Sequence, residues 1–397
     1  MNVLIVTNDF PPKVGGVNYY VSELVRRFPA GTATVLASTW PNAGEFDKTF
    51  PQRVVRWPMR TLLPTPSVCA EAARLAREVR ADVVLCGASL PLAFVGQSVF
   101  RRCGIPYVAC THGLELAAAK VAPGRAFLRR LFKDASLVTA VSEWSAARLR
   151  PFAPADAQFA LLPSGIDQHL FRPDVETSLI RRRHNLGAGP IVCCVSRIVA
   201  RKGQDVLIRA MPTLVREWPH LRLLIVGSGS YERTLKSMAV SCRVEPHVIF
   251  TGEVPYDELP AYFRVGDVFA MPCRSRFAGF ETEALGAVYL QAAAVGRPCV
   301  GGSAGGAPEA VRHGETGLVV DGTNVSAVGD AISELLRHTD RATAMGTAGA
   351  AWVHRDLTWD HLADKLQKLL SVCGAKHEGR GTKGDALHPH RGNSSNR

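Results

Sequence analysis

The segment 274–291 carries the charged side chains whose spacing first points to chemistry. It reads R-S-R-F-A-G-F-E-T-E-A-L-G-A-V-Y-L-Q, so arginines and glutamates precede an apolar run of helix-forming residues. This pattern predicts a loop leading into a helix, whose unpaired N-terminal N–H groups favour an anion. We expect the helix to span 282–295, with Glu283 in its first turn and Gln291 eight residues later, so that both face one cleft. The segment therefore predicts a site for a negatively charged ligand that bears hydroxyl groups.

Two cations follow the predicted strand 190–196. The sequence V-S-R-I-V-A-R-K-G places Arg197 and Lys202 on the loop beyond that strand. Open α/β sheets bind ligands at this end of their strands. Two fixed cations can neutralise a diphosphate leaving group, a role that a divalent metal fills elsewhere, and the chain has no Asp-x-Asp pair to hold such a metal. We expect a diphosphate site without metal; the alternative is a salt-bridged surface loop.

The first half of the chain offers two matching features. Gly15 and Gly16 stand between the first predicted strand and the first helix, where glycine lets the backbone approach a phosphate closely. The fifth predicted strand ends in T-H-G-L-E, which places His112 and Gly113 at a carboxyl end, beside Glu115. We expect His112 to face the ligand; the alternative is a structural histidine.

Short apolar runs alternate with helical patterns along the chain, which is typical of parallel sheets with crossover helices. The predicted strands are 2–8, 33–38, 53–57, 82–87, 106–110 and 136–141, followed by 190–196, 221–226, 247–251, 268–271, 298–300 and 317–320. The predicted helices are 16–28, 67–80, 91–103, 123–133 and 143–150, followed by 203–217, 231–242, 257–265, 282–295, 307–312 and 324–338. The pattern predicts an α/β protein of two doubly wound Rossmann-like domains with a cleft between them.

The same pattern predicts the domain boundaries. Residues 1–165 form the first domain and 190–355 the second, joined by the polar linker 166–189. A helix over 356–372 carries an apolar stripe from Leu362 to Leu370, so it must cover an apolar surface. The remaining segment, 375–397, has no apolar period and predicts a disordered tail.

Composition limits the class of protein. A chain of 397 residues suits two domains, and no apolar run is long enough to span a membrane. The N-terminus has no basic leader before its first apolar residues. The ten cysteines form no C-x-x-C pair and mostly lie in apolar runs, so we expect reduced core thiols rather than disulfides or metal ligands. These features predict a cytoplasmic protein.

The net charge of +12 is concentrated in one segment. Residues 101–150 hold nine Lys and Arg against three acids. Such a cluster attracts phosphates or an anionic lipid surface, and would allow peripheral association with the inner membrane face. Aromatic residues are not interleaved for base stacking, so we expect no nucleic-acid partner. The alternative is a solvated helix face.

Several motifs in order identify a family. G-G-V, T-H-G, S-R-I-V-A-R-K-G, V-G-S-G, F-T-G-E-V, E-A-L-G-A-V-Y-L-Q-A and G-G-A-P-E-A-V-R-H-G-E-T-G-L-V-V closely resemble those of the family 4 retaining glycosyltransferases, which have the GT-B fold. The resemblance covers about residues 1–372. Within that family the chain looks most like the phosphatidylinositol mannosyltransferases of actinobacteria and the related enzymes of aminoglycoside antibiotic assembly.

The resemblance implies roles for these residues. The cations Arg197 and Lys202 would bind the diphosphate of a UDP- or GDP-sugar, His112 would hydrogen-bond the transferred sugar, and Glu283 would accept from its hydroxyls. The other expected donor-binding residues are Gly15, Gly16, Ser196 and Gly227, the base-binding Glu253 and Val254, the phosphate cradle Leu285, Gly286 and Ala287, and Gln291 at the ribose. The helix over 356–372 would cross back onto the first domain.

Gln291 departs from the family pattern, which has a second Glu at this position. A carboxylate would accept from both ribose hydroxyls, whereas the uncharged amide should weaken nucleotide binding by roughly 1–2 kcal/mol. The change leaves Glu283, Arg197 and Lys202 in place. It bears on which nucleotide is bound rather than on the chemistry.

The resemblance implies retention at the anomeric carbon, yet no matched motif offers a carboxylate nucleophile. We therefore expect same-face substitution, in which the departing phosphate oxygen takes the acceptor proton. The expected acceptor is a small soluble aminocyclitol or pseudodisaccharide, and the alternative is a phosphatidylinositol-type lipid used with GDP-mannose. Remoter alternatives are a sugar-nucleotide epimerase and an inactive sugar-nucleotide binder.

Overall fold

The computed structural model of the protein describes the backbone of residues 1–381 and the side chains of residues 1–375. Its first domain is built on a parallel sheet of seven strands in the order β3-β2-β1-β4-β5-β6-β7. The strands are β1 (Val3–Thr7), β2 (Ala33–Ser38), β3 (Arg53–Trp57), β4 (Val83–Cys86), β5 (Tyr107–Thr111), β6 (Leu137–Ala140) and β7 (Phe159–Leu161). The order reverses direction between β1 and β4, which places a ligand-binding crevice at their carboxyl ends.

The second domain repeats this plan with six parallel strands in the order β10-β9-β8-β11-β12-β13. The strands are β8 (Ile191–Val195), β9 (Arg222–Val226), β10 (Val248–Gly252), β11 (Val268–Met271), β12 (Cys299–Gly302) and β13 (Gly317–Val320). Here the order reverses between β8 and β11, so the loops after these two strands border the second crevice. The two sheets confirm the predicted fold of two doubly wound domains.

Helices cover both faces of each sheet. In the first domain they are α1 (Gly16–Arg26), α2 (Ala43–Thr49), α3 (Pro66–Glu78), α4 (Ser89–Cys103), α5 (Leu114–Ala118), α6 (Ala122–Phe132) and α7 (Glu143–Leu149). They continue with α8 (Ser178–Arg183), α9 (Gln204–Glu217), α10 (Glu232–Ser241), α11 (Leu259–Val265), α12 (Ala287–Ala294), α13 (Ala307–Ala310), α14 (Val325–Arg337), α15 (Thr339–Asp356) and α16 (Trp359–Gly381). Short 3-10 turns lie at Arg150–Phe152, Ala200–Lys202, Glu245–His247 and Phe277–Gly279.

The sequence patterns missed five elements that lack a strong period of their own. These are the short helices α2, α5 and α8, the three-residue edge strand β7, and the helix α15. In α15 alanine, glycine and threonine dominate, so its buried face carries few large apolar residues to show a helical repeat. Glycines 346 and 349 within it allow close packing, because a Cβ on Gly346 would lie 2.3 Å from the carbonyl oxygen of Gly296.

The segment 166–189, predicted as a polar linker, contributes to the core of the second domain. It contains helix α8, and its apolar residues Phe171, Ile180 and Leu186 are buried in that core. The chain crosses between the domains twice, and the two crossings are hydrogen-bonded to each other: Ile166 N donates to Leu357 O, and Trp359 N donates to Ile166 O. The two connections therefore lie side by side, as at a single hinge.

Helix α16 follows the second crossing and packs on the first domain. Leu362, Leu366 and Leu370 are buried with residues of β1 and α1, including Ile5 and Leu24. The helix continues to Gly381 and so enters the segment 375–397 that was predicted to be a disordered tail. Residues 382–397 lie outside the described part of the chain.

Candidate active site in the interdomain cleft

A buried cluster of one carboxylate and two cations lies at the crevice of the second domain. Glu283 Oε2 accepts from Lys202 Nζ and from Arg201 Nη1, each at 2.6 Å. The exposed fractions of the three side chains are 11% for Glu283, 9% for Lys202 and 17% for Arg201. The loops that follow β8 and β11 bring the three residues together, as expected where the strand order reverses.

The charges in this cluster fix its ionisation state. Burial opposes the charged form of Glu283, but the charges of Lys202 and Arg201 and their hydrogen bonds outweigh that effect and hold its pKa below the ordinary value. The cluster therefore contains a carboxylate and two cations, and it keeps one net positive charge close to the crevice. That excess charge suits a site that must attract a phosphate group.

Only one of the two cations that pair with Glu283 was among the predicted site residues, and it was expected to bind the diphosphate. Lys202 was identified from the sequence, whereas Arg201 was missed although it precedes Lys202 directly in the same motif. The third cation of this loop, Arg197, is exposed, and its guanidinium has no ion-pair partner among the described residues. The loop after β8 thus holds two cations against Glu283 and leaves one free for an anionic ligand.

Glycine is required where the loop after β9 passes over β8. Gly227 has φ +123°, and a Cβ at this position would lie 2.2 Å from the carbonyl oxygen of Ser196. The Ser196 hydroxyl accepts from Gln204 Nε2 at 2.9 Å, and the same amide donates to Arg197 O at 3.1 Å. Gln204 is fully buried, so this network holds the backbone that carries Arg197.

The segment 283–291 differs from the prediction in where its helix begins. Helix α12 starts at Ala287 with Gly286 as N-cap in the left-handed region, φ 88°, so Glu283 lies in the preceding loop rather than in the first helical turn. The glycine ends the loop sharply, and a Cβ on it would lie 2.6 Å from the Tyr289 ring. The helical pattern of the sequence extended too far because Glu283 and Ala284 are good helix formers.

This loop leaves donors free at the start of α12. The backbone N–H groups of Leu285, Gly286 and Ala287 have no hydrogen-bond acceptor among the residues that the structure describes. Gln291 is half-buried one turn further along α12, and its side-chain amide likewise has no hydrogen bond within that part of the chain. These groups remain available to a bound ligand, as expected for a phosphate cradle with a polar group beyond it.

The predicted base-binding residues follow β10. Glu253 is exposed and accepts from Ser228 Oγ at 2.5 Å, while Val254 packs against the domain core. Gly252 O accepts from Gly227 N at 2.9 Å, so this turn is joined to the loop after β9. The two residues therefore lie on the same side of the sheet as Ser196 and Arg197.

The first domain presents its own glycine pair to the cleft. Gly15 and Gly16 are exposed at the N-terminus of α1, and a Cβ on Gly16 would meet no atom within 4 Å. Packing therefore does not require a glycine at position 16. The open space in front of α1 leaves room for a ligand to approach its N-terminal N–H groups.

His112 is held in a defined orientation at the end of β5. Its Nε2 lies 2.8 Å from Gly87 O, which can only accept, so Nε2 carries the proton and Nδ1 is left as an acceptor. Burial lowers the pKa of His112 below its ordinary value, although Glu115 and the Gly87 carbonyl act in the opposite direction. Glu115 accepts from the backbone N–H groups of His112 and Gly113, each at 3.1 Å, so it supports the turn rather than the ligand.

The two halves of the predicted site meet across the cleft. A Cβ on Gly113 would lie 3.2 Å from the Cβ of Ala284, so the neighbour of His112 touches the neighbour of Glu283. The Tyr20 ring of α1 packs edge-on against His112 with a centroid distance of 4.8 Å. The structure thus brings the surroundings of His112 and Glu283, which belong to different domains, close together across the cleft.

Apolar side chains are exposed on both sides of the cleft opening, next to cations. We use the name mouth surface for Leu114, Val121, Phe127, Phe277 and Phe280, which are 66%, 41%, 53%, 64% and 45% exposed. Lys120 Nζ donates to Ala278 O at 2.8 Å, so the two segments that carry these residues touch. Arg125, Arg129 and Arg130 lie on the exposed side of α6 within the predicted basic segment 101–150.

The remaining predictions about metals, thiols and membranes concern the whole chain. The ten cysteines all lie in the described part of the chain, where none forms a disulfide, and eight of them are buried. Among the described residues, no group of three or more His, Cys, Asp or Glu side chains is placed to hold a metal ion. Within the same part of the chain, no helix combines the length and the apolar character that crossing a bilayer requires.

The sequence models of two protein families match the chain, one in each domain. Glycosyltransferase Family 4 matches residues 14–170, and Glycosyl transferases group 1 matches residues 177–352. The boundary between the two matches lies within the segment 166–189. The first match covers β2 to β7, and the second covers β8 to β13.

The relatives of the chain include enzymes of glycolipid assembly. It is 44% identical over 376 residues to the GDP-mannose-dependent alpha-(1-6)-phosphatidylinositol monomannoside mannosyltransferase of Mycobacterium tuberculosis, covering 93% of this chain and 97% of that protein. It is 38% identical over 373 residues to the GDP-mannose-dependent monoacylated alpha-(1-6)-phosphatidylinositol monomannoside mannosyltransferase of Corynebacterium glutamicum, covering 92% of this chain and 97% of that protein.

Solved structures share the whole architecture. The Anabaena protein HepE in complex with UDP and glucose superposes with a TM-score of 0.78 at 20% identity, covering 94% of this chain and 99% of that chain. Sucrose-phosphate synthase from Thermosynechococcus elongatus gives a TM-score of 0.79 at 22% identity, covering 94% of this chain and 99% of that chain. At these identities the likeness shows the fold, and it confirms the predicted GT-B arrangement of the two domains.

Proposed function

The chain belongs to the family 4 glycosyltransferases, and from that premise we propose that it transfers mannose from GDP-mannose to a phosphatidylinositol mannoside. Its activity is glycosyl transfer from a nucleotide sugar, as the resemblance predicted. The observation that supports GDP-mannose and a phosphatidylinositol mannoside as substrates is the 44% identity to the mycobacterial mannosyltransferase, which extends over both domains. This likeness favours the glycolipid alternative over the soluble aminocyclitol acceptor that was our first expectation.

The proposed donor site uses cations in place of a metal. Arg197 is free to bind the diphosphate, while Lys202 and Arg201 lie beside it in their cluster with Glu283. The unpaired N–H groups of Leu285 to Ala287 add donors from the other side of the crevice. Because these cations can offset the charge of the leaving diphosphate, we propose that transfer is independent of a divalent metal.

Glu283 and His112 are proposed to hold the sugar between the domains. The Glu283 carboxylate has one oxygen, Oε1, outside its two ion pairs, and this oxygen is placed to accept from a sugar hydroxyl. The His112 imidazole is kept neutral by burial and offers Nδ1 as an acceptor. A neutral ring matters because a protonated His112 would have no acceptor to offer.

We propose same-face substitution with retention at the anomeric carbon. The acceptor hydroxyl oxygen bonds to the anomeric carbon as the bond from that carbon to the β-phosphate oxygen breaks. The departing oxygen takes the hydroxyl proton, while Arg197 and Lys202 stabilise the charge that develops on the diphosphate. An Arg197→Ala protein with near-normal kcat would contradict this scheme.

The mouth surface supports a lipid acceptor. It exposes five large apolar side chains beside Arg125, Arg129 and Arg130, a combination that suits the interface of an anionic bilayer. Segment 114–121 follows His112 and Gly113 directly, so a bilayer in contact with it would present a headgroup close to the cleft.

Donor choice is tested by thermal unfolding and by transfer assays. The purified protein is heated with GDP, UDP, GDP-mannose or UDP-glucose in EDTA, and then assayed with vesicles containing phosphatidylinositol monomannoside. We expect stabilisation by GDP and GDP-mannose, and radiolabelled mannose in the lipid fraction. Stabilisation by UDP-sugars alone, with transfer to a soluble aminocyclitol, would contradict the proposal and support the acceptor that was first expected.

Membrane contact is tested by sedimentation with vesicles of anionic phospholipid at low and high salt. We expect binding that weakens at high salt and in the double variant Phe127→Ser/Phe277→Ser. The matched control is Leu179→Ser/Val240→Ser, which removes two other apolar side chains, 54% and 55% exposed, away from the cleft. Equal binding by both double variants would show that the mouth surface is not the contact.

A further inference from the structure

The segment G-G-A-P-E-A, residues 305–310, lies against the site, but the proposed reaction gives it no role. Its glycines support the backbone of Glu283: Gly306 N donates to Glu283 O at 2.9 Å, and a Cβ on Gly305 would lie 1.9 Å from the same oxygen. Close contact of this kind leaves no space for a side chain, so both glycines are required by packing. The segment is therefore part of the frame that holds the Glu283 loop.

Glu309 in this segment reaches across to the first domain. Its Oε2 accepts from the backbone N–H of Glu143, and its Oε1 from that of Trp144, each at 2.7 Å. These amides belong to the first turn of α7, where helical N–H groups have no partner within the helix. A carboxylate at that position stabilises a helix N-terminus, and here the second domain supplies it.

A second contact joins the same two regions. Ala284 O, the carbonyl next to Glu283 in the chain, lies 2.6 Å from the Ser142 hydroxyl and 3.3 Å from the Ser145 hydroxyl of the first domain. Both serines are buried at the start of α7. The peptide 283–284 is thus held both by the glycine segment of its own domain and by hydroxyls of the first domain.

We propose that Glu309 and Ser142 are positioning residues that couple closure of the two domains to the placement of Glu283. The two connections between the domains lie side by side, so every other contact across the cleft can be broken by rotation there. On opening, Ala284 O and the α7 amides exchange these partners for water, and the Glu283 loop keeps only the contacts of its own domain. The inference rests on the proposed function, which assigns Glu283 to the donor sugar.

The first test measures hydrogen–deuterium exchange of the full-length protein. In Glu309→Ala we expect the amides of Glu143 and Trp144 to exchange about tenfold faster, because they lose a charged acceptor. The matched control is Glu315→Ala, which removes an exposed glutamate of the same domain whose ion pair, with Arg312, does not cross the cleft. We expect its exchange pattern at α7 to equal that of the unmodified protein.

The second test separates positioning from nucleotide binding. For Glu309→Ala and Ser142→Ala we expect kcat for mannose transfer to fall about tenfold. The Kd for GDP should stay within about twofold, because most of the proposed nucleotide contacts lie in the second domain. Glu315→Ala should retain both values. A role limited to folding would instead lower the Tm of the variants and leave kcat per folded molecule unchanged.

Two results would overturn the inference: normal kcat in Glu309→Ala despite faster exchange at α7, or no change in exchange at all. If the unmodified protein transfers no mannose from GDP-mannose, the proposed function fails separately. Exchange in the peptide 280–290 then decides the inference. Faster exchange there in Glu309→Ala but not in Glu315→Ala supports the coupling, and equal exchange in both variants overturns it.

Discussion

Replacing Glu283 by Gln tests the buried cluster in two ways. The change should lower the stability of the protein and should increase the stabilisation that GDP provides. The carboxylate receives two charge-assisted hydrogen bonds of 2.6 Å from cations that are mostly buried. A Gln side chain of the same shape offers the two cations only a neutral amide oxygen, and its NH₂ group can only donate. The variant therefore leaves both buried cations without a counterion.

The loss can be sized from these contacts. Two charge-assisted bonds become bonds to a neutral acceptor, and the two buried cations lose their counterion, so we expect the free energy of unfolding to fall by about 2–4 kcal/mol. For a domain of this size that corresponds to a fall of roughly 5–10 °C in Tm. The control Glu258→Gln breaks an exposed pair with Arg183, at 2.5 Å, in the same domain. An exposed pair of this kind contributes about 1 kcal/mol at most.

The same substitution should increase the stabilisation of the protein by GDP. In the unmodified protein, GDP must share Lys202 and Arg201 with Glu283, whereas in the variant both cations are free to meet the diphosphate. We expect GDP to raise the Tm of Glu283→Gln by more than it raises that of the unmodified protein. Transfer should nevertheless fall by about 10- to 100-fold, because the acceptor for the sugar hydroxyl has lost its charge.

The pH dependence follows from the lowered pKa of Glu283. A carboxylate whose folded pKa is lowered contributes stability above its unfolded pKa, about 4.3, and loses it as the pH falls through the folded pKa. The stability difference between the two proteins should thus be constant near neutrality and shrink below about pH 4. Chemical denaturation across this range measures it. A GDP-induced rise in Tm that is equal or smaller in Glu283→Gln would refute the reasoning.

Three further predictions concern single positions. Gln291→Glu should tighten GDP binding by about 5- to 30-fold, measured by calorimetry, because a carboxylate accepts from both ribose hydroxyls; unchanged affinity would place Gln291 away from the ribose. Gly227→Ala should lower the Tm because its Cβ would lie 2.2 Å from Ser196 O. Gly16→Ala should leave the Tm unchanged, because its Cβ would have no atom within 4 Å, and should weaken GDP binding. The pKa of His112 is lowered in the folded state, so its contribution to stability is complete above about pH 6.5 and is lost on acidification. Between about pH 7.5 and 5.5 the urea midpoint of His112→Asn should therefore fall less than that of the unmodified protein.

The sequence alone determined the architecture of this protein and the chemical type of its site. Parallel strands buried on both faces appear in the sequence as continuous apolar runs, a signal contained in a few adjacent residues. All but one of the thirteen strands within residues 1–381 could therefore be predicted. The motifs placed Lys202, Glu283 and His112 at the carboxyl ends of strands, where ligands bind. Local patterns failed for α15 and for the start of α12, because small residues or helix formers there carry no clear boundary.

Only the tertiary structure decided which groups meet. Glu283 pairs with Arg201 and Lys202, about 80 residues away, and leaves Arg197 free, a choice that depends on the path of two loops above neighbouring strands. The contact of Glu309 with α7 spans more than 160 residues and both domains. Such pairings have no sequence period, because they are set by the order of strands in each sheet and by the way the two domains close on each other.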